Sequence, residues 1–259
     1  MYFCAMLKVV LIGTGNVARQ LFPALQGSGK AQVVQVAGRN PAALSHFSRH
    51  TATGGLDGID PGADMYIIAV SDAAIPTVSE LITDSNKLVI HTSGSVALEA
   101  LAGPHRKGAC YPLQTFSKDR EVDFREIPLC IEAENKNDLA LLRDLAHALS
   151  DMVLEVSSEK RRSLHLAAVF ANNFTNHLYH ISHELLDREM LPFTLLLPLI
   201  RETAAKINQM PPFDAQTGPA RRDDQAVIRK HLQLLENQHQ REIYALLSNA
   251  ITDTYAKKL

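Results

Sequence analysis

The chain has 259 residues, a net charge of −2, an isoelectric point near 6.6 and 21% charged residues. That length buries one large core or two modest ones. The near-neutral balance gives no electrostatic reason to expect nucleic acid or an acidic membrane surface as a partner.

The chain opens with "MYFCAMLKVVLIG", an apolar run that holds Lys8, lacks a basic leader and reaches a glycine turn without a small-residue cleavage site. It reads as a strand, not as a signal peptide. Met6 is a second candidate start, which would make the first five residues a leader. No window reaches the roughly 18 uncharged apolar residues of a membrane span. Cys4, Cys110 and Cys130 are odd in number, widely spaced and free of any zinc pattern. They read as free thiols in a reducing, cytoplasmic compartment.

Seven short β-branched or apolar runs follow one another: "LKVVLIG" (7–13), "QVVQVAG" (32–38), "DMYIIAVS" (64–71), "KLVIHTSG" (87–94), "KGACYPLQ" (107–114), "IPLCIEA" (127–133) and "DMVLEVS" (151–157). Several are apolar throughout, as strands covered on both faces must be. Amphipathic stretches such as "VARQLFPALQ" and "KNDLALLRDLAHALS" separate them. The alternation predicts an α/β fold, a Rossmann-type doubly wound and mostly parallel sheet. Beyond residue 158 the strand signal stops and helical periodicity takes over, broken by the loop "MPPFDAQTGP" (210–219). Two domains are expected, 1–157 around the sheet and an all-helical 158–259.

"VVLIGTGNVARQL" puts Gly13, Gly15 and Ala18 in G-x-G-x-x-A spacing, after a strand and at the opening of a helix. Gly13 permits the turn, Gly15 lets backbone approach a pyrophosphate, and Ala18 keeps helix and sheet close. The N–H groups around Thr14, Asn16 and Val17 belong to a helix N-terminus that suits an anion. The second strand ends "VAGRNPAAL", with Gly38 where an NAD-selective site usually has a carboxylate. Arg39 follows, beside Asn40. Losing the acid and gaining a guanidinium fork favours a 2′-phosphate, so NADP(H) is the expected cofactor. A solvated surface arginine is the plainer alternative. Strand ends at a sheet's carboxyl edge line the ligand crevice. That places Val70, Ser71 and Asp72, and then Ser93 and Gly94, against the nicotinamide half. Asp72 and Ser95 equally suit helix capping.

The stretches "VVLIGTGNVA", "AGRN", "IIAVSD", "HTSGS", "YPLQTF", "HLAAVFANNF" and "TGPARRDD" resemble bacterial Rossmann-like proteins with an uncharacterised C-terminal helical domain, assigned as NADP oxidoreductases. More distantly the chain is similar to pyrroline-5-carboxylate reductase, ketopantoate reductase and the 6-phosphogluconate and 3-hydroxyisobutyrate dehydrogenases. The resemblance implies NADP(H) binding, a helical second domain and a homodimer built through its helices.

"HLAAVFANNFTN" is an apolar helical stretch that keeps its amides. His165, Val169, Asn172, Asn173, Asn176 and His180 fall along one stripe at helical spacing. A structural hydrogen-bond network would account for the amides. The distant relatives imply another role, since their corresponding helix carries Lys-x-x-Asn-Asn or Lys-x-x-His-Asn. There the lysine moves the proton and the amides orient substrate and nicotinamide. Asn172 and Asn173 match that motif, whereas Val169 stands at the lysine position and cannot move a proton. His165, a water or an already protonated imine substrate would then supply it; a hydrogen-bonded core histidine is the alternative for His165. Gln114 in "YPLQTF" and Arg222 in "TGPARRDD" are candidates to touch substrate, Arg222 through a carboxylate. The spacing of His177, His180 and His183 does not bring all three to one face, so no metal is expected.

The expected function is hydride transfer between NADP(H) and a small substrate with a C=O or C=N bond, held against the long helix 159–187. The rival is a dinucleotide-binding sensor or dimeric scaffold without catalysis; NADPH-driven reduction of a deazaflavin is a weaker third reading.

Overall fold

Residues 6–118 and 120–256 are described by the structure, a computed structural model. Cys4 and the five-residue leader lie outside the described residues. Two compact units divide the chain, Met1–Asn173 and Phe174–Leu259.

The first unit is built on an eight-stranded sheet in the order β3-β2-β1-β4-β5-β6-β7-β8. Its members are β1 (Leu7–Ile12), β2 (Ala31–Ala37), β3 (Ala52–Gly54), β4 (Met65–Ile68), β5 (Leu88–His91), β6 (Arg106–Pro112), β7 (Leu129–Ala133) and β8 (Val153–Glu155). The strands from β3 to β6 are parallel, β7 runs antiparallel to β6, and β8 runs parallel to β7. This is the mostly parallel, Rossmann-like sheet that the β–α alternation predicts. The strand it omits is β3, three residues at the sheet edge.

Both faces of the sheet are covered, which explains the continuous apolar runs. Val9 and Leu11 of β1 pack with Leu21, Phe22 and Leu25 of helix α1 (Asn16–Gly27) and with Leu142 and Leu145 further along the chain. Val10 and Ile12 point the other way, into a cluster with Ile75 and Val78. Alternation along one strand thus feeds two cores. Helix α2 (Pro41–Leu44) is a single turn opened by Asn40, whose side-chain oxygen accepts from Ala42 N and Ala43 N. Helix α3 (Ile75–Ser79) covers the second face, and α4 (Lys136–Leu149) the first. Asn135 caps α4, whose buried Asp138 pairs with Arg106 on β6.

Cys110 and Cys130 are free thiols on neighbouring strands. Cys110 lies opposite Ile131 and Cys130 opposite Tyr111, so their side chains leave opposite faces of the sheet. Burial pushes the Cys110 thiol up to about 12.

Strand signal ends at Ser157, yet the sheet-bearing unit runs on to Asn173 because the next helix is bolted to the sheet. Helix α5 (Ser158–Ala168) is capped by Ser157 and buries Arg161 completely. Arg161 pairs with Glu132 of β7 and donates to Val96 O at 2.6 Å. Glu132 also accepts from Ser158 N and Ser158 Oγ. A π-helical turn, Val169–Phe174, follows α5 and carries both central amides. The period there is no longer 3.6, so the stripe drawn on an ideal helix is rephased at this turn.

The second unit contains α6 (Thr175–Arg188), α7 (Leu197–Lys206), α8 (Pro212–Ala215), α9 (Gln225–Leu234) and α10 (Gln238–Ala256). The expected loop at 210–219 holds the one-turn α8, which begins behind Pro211. The long periodic stretch 223–256 breaks where Asn237 accepts from His239 N and Gln240 N, starting α10 afresh. Tyr255 stacks on Phe213 at 4.5 Å and its hydroxyl donates to Phe213 O. Thr252 Oγ1 donates to Ala220 O at 3.0 Å. No helix among the described residues is long and apolar enough to cross a membrane.

Candidate functional site

A cleft of about 1270 Å³ opens at the carboxyl ends of β1, β2 and β4, and all of its lining belongs to the first unit. One end is backbone. Gly13 has φ +130°, and a Cβ there would stand 2.1 Å from Ala69 O, so only glycine fits. A Cβ on Gly15 would meet nothing within 4 Å, which leaves its backbone open to an approaching group. Gly15 precedes α1 without any side-chain cap. The first N–H groups of that helix have no intrahelical acceptor, and Gly15, Asn16 and Val17 line the cleft. Orphaned donors at an uncapped helix start, beside a glycine cradle, fit the pyrophosphate of a dinucleotide.

The wall next to this end explains the missing acid. A Cβ on Gly38 would meet Thr14 Cγ2 at 2.9 Å, so any side chain at this position displaces Thr14. Arg39 and Asn40 line the rim, both exposed. Arg39 makes no ion pair among the described residues, whereas the Asn40 oxygen is occupied in capping α2. Val70 and Ser71 line the floor.

At the other end, α5 and its π turn supply His165, Val169, Asn172 and Asn173, and the segment after β6 supplies Leu113, Gln114, Thr115 and Phe116. The Gln114 side-chain oxygen accepts from Thr115 N at 2.8 Å. Asn16 Nδ2 donates to Phe116 O at 2.9 Å, fastening this segment to the start of α1. Tyr111, the last residue but one of β6, faces His165 with its hydroxyl 3.0 Å from Nδ1. Burial, with a smaller contribution from Cys130, raises the Tyr111 phenol above its ordinary value and keeps it protonated.

Several expected residues do not line the cleft. Ala18 is fully buried against the sheet, the packing part of its expected role. Asp72 accepts a hydrogen bond from Ser95 Oγ, and Ser93 Oγ accepts from Ser95 N and Val96 N at 3.1 Å. Both support the loop after β5 instead of facing the opening. Gly94 is packed from behind: a Cβ there would lie 2.7 Å from Tyr111 Cζ and 2.8 Å from His165 Nδ1. Arg222 is exposed in the second unit, in the turn Ala220–Arg222.

Beneath the loop after β5 lies His91, fully buried, its Nδ1 accepting from Ser93 N at 3.2 Å and its Nε2 without a partner among the described residues. Burial, reinforced by Arg161 and opposed by Asp72 and Glu132, lowers its pKa to about 4. Sequence reasoning missed both His91 and Tyr111. For Tyr111 the available signal was its place at the end of a strand that reaches the crevice.

Residues 8–94 match a family described as NADP oxidoreductase, coenzyme F420-dependent, and residues 127–251 match a domain of unknown function, DUF2520. No curated protein matches the chain. Among solved structures, a Bacteroides fragilis protein assigned as an NADP oxidoreductase is 41% identical over 96% of this chain and 98% of its own, with a TM-score of 0.89. Protein TM1727 of Thermotoga maritima is 19% identical over 96% and 99% of the two chains, with a TM-score of 0.70. A reductive aminase of Aspergillus terreus, in complex with NADPH and ethyl levulinate, is 12% identical over 98% and 95%, also at 0.70. The last two share the fold. At 41% identity over nearly the full length of both proteins, the chain belongs to the NADP oxidoreductase family of the Bacteroides fragilis protein, with NADP as cofactor.

Proposed function

We propose that the protein transfers hydride between NADP(H) and a small substrate carrying a C=O or C=N bond, bound in the cleft beside α5. The observation that carries this reading is the cleft itself. It joins an uncapped helix N-terminus at Gly15–Val17 to polar side chains of His165, Asn172 and Asn173 in a single cavity. The backbone of Gly13 to Val17 would hold the pyrophosphate, and Arg39, free of ion pairing among the described residues, would close over the 2′-phosphate. The cofactor supplies the hydride; the chain binds, orients and handles the proton. Asn172 and Asn173 would orient the nicotinamide amide and the substrate, with Gln114 in the same cleft lining. A role for Arg222 would require its guanidinium to reach the substrate of its own or another copy.

The exposed apolar side chains of the second unit support a homodimer: Leu195, Leu199 and Leu246 are each 60% exposed or more. Free thiols at Cys110 and Cys130 suit a reducing, cytoplasmic compartment. The rival reading, an NADP(H)-binding sensor or scaffold, rests on Val169 in the cleft wall where the distant relatives have their proton-moving lysine. Absorbance of NADPH, followed over a panel of small keto acids, ketones, aldehydes and cyclic imines, separates the two. Oxidation that Asn173→Ala reduces at least tenfold, with NADPH affinity by calorimetry unchanged, supports the enzyme. No oxidation across the panel favours the sensor.

A further inference from the structure

Among the described residues, the ionisable side chains that line the cleft are three: Arg39, Tyr111 and His165. Arg39 stands beyond β2 at the nucleotide rim, and a guanidinium does not exchange its proton at neutral pH. No aspartate, glutamate or lysine is in that lining; the nearby Asp72 carboxylate is engaged by Ser95 Oγ. Proton traffic in the cleft therefore converges on one pair, the Tyr111 hydroxyl and His165 Nδ1, 3.0 Å apart.

We propose that Tyr111 is the acid that protonates the substrate, that His165 restores it, and that the reacting bond is a neutral carbonyl and not an iminium. This rests on the hydride-transfer reading above and narrows it. Two independent features point the same way.

The first is charge. An iminium brings a positive charge into a partly desolvated cleft, where it needs a carboxylate close by. The lining described offers none, and its neutral donors suit a carbonyl oxygen that gains negative charge as it reacts. An iminium also arrives with its proton already on nitrogen and would leave the Tyr111–His165 pair without work.

The second is packing. The pair is held from three sides: Tyr111 by β6, His165 by α5, and both by Gly94, where even a Cβ would displace the Tyr111 ring and the His165 imidazole. Helix α5 is in turn fixed by the buried Arg161, paired with the half-buried Glu132. With Nδ1–H of His165 donating to the phenol oxygen, the phenol is free to donate its own hydrogen into the cleft. The same Nδ1–H then steadies the phenolate that forms.

The balance is simple. The carbonyl carbon takes the hydride that NADPH supplies, the C=O π bond opens, and its oxygen takes the Tyr111 proton. The phenolate recovers a proton from His165 Nδ1 as Nε2 takes one from solvent, and proton exchange with solvent returns the imidazole to its Nδ1–H form before the next turnover. One hydride and one proton are consumed for each alcohol formed, and NADP⁺ is released.

The test uses the full chain with ¹³Cζ-labelled tyrosines, saturated with NADP⁺. The Tyr111 signal, identified by its absence from Tyr111→Phe, is expected to shift with cyclohexanone and not with cyclohexylammonium. In turnover over ketones and aldehydes, Tyr111→Phe is expected to be slower by about 100-fold, with NADPH affinity unchanged by calorimetry. His165→Gln should be slower by about tenfold, with its pH profile shifted. No shift with cyclohexanone, an equal shift with the ammonium, or full turnover by Tyr111→Phe overturns the proposal and leaves the cofactor reading standing. Failure of the wild-type protein to bind NADPH at all sinks the reading beneath it instead.

Discussion

The two units use apolar residues in opposite ways. In the sheet-bearing unit the central strands β4 and β5 and the stretch Val9 to Ile12 of β1 are buried on both faces. In the helical unit, the described residues bury three apolar side chains, Ala220, Ile228 and Leu235, while Leu195, Leu199, Leu234 and Leu246 stay open. A single copy of the sheet unit closes its own core. The helical unit leaves apolar side chains exposed, and in the proposed homodimer these faces would be covered, so that its stability would depend on association.

This contrast can be broken or sharpened at several points. The largest effect belongs to Arg161, fully buried and paired. Arg161→Ala leaves Glu132 to its Ser158 hydrogen bonds without a counter-charge and should cost about 3–5 kcal/mol, read as a lowered urea midpoint independent of protein concentration. A concentration-dependent loss would mean that α5 answers to assembly, not to the sheet. Acid comes next. His91 is neutral when buried, with a pKa of about 4 against 6.5 in the unfolded chain. The unfolded state takes up the proton first, so stability is full above about pH 6.5 and falls as pH drops toward about 4. The loss should approach about 3 kcal/mol, and denaturation midpoints for His91→Gln should show a flatter profile over the same window.

Smaller effects test the other unit and the cofactor. Leu199→Glu leaves the core of one copy untouched but should weaken self-association by about 2 kcal/mol, seen as dissociation at higher concentration in sedimentation. If the wild-type protein sediments as a monomer at every concentration, the argument from exposed faces fails. Arg39→Ala should reduce NADPH affinity about tenfold, roughly 1.4 kcal/mol, and leave NADH affinity as it was; equal losses would reassign Arg39 to the solvated rim.

Much of the sheet could be read from the chain because burial on both faces forces continuous apolar runs such as "VVLI". The edge strand β3 could not, since Ala52-Thr53-Gly54 is short and has neighbours on one side only. The glycine turn was legible because backbone geometry selects its residues one by one. Tyr111 was not, because its partner lies 54 positions away and is brought to it by the Arg161 anchor. The π turn carries no breaker in "VFANNF", so a constant period was drawn through Asn172 and Asn173 where the helix changes register.

The contact between Gly38 and the Thr14 methyl has an evolutionary corollary. Swapping nucleotide preference by planting an acid at the tip of β2 would push the Thr14 methyl aside, so the change is felt first in the glycine turn. The two sites should drift as a couple, and an engineer seeking the dephosphorylated coenzyme would gain by varying both together.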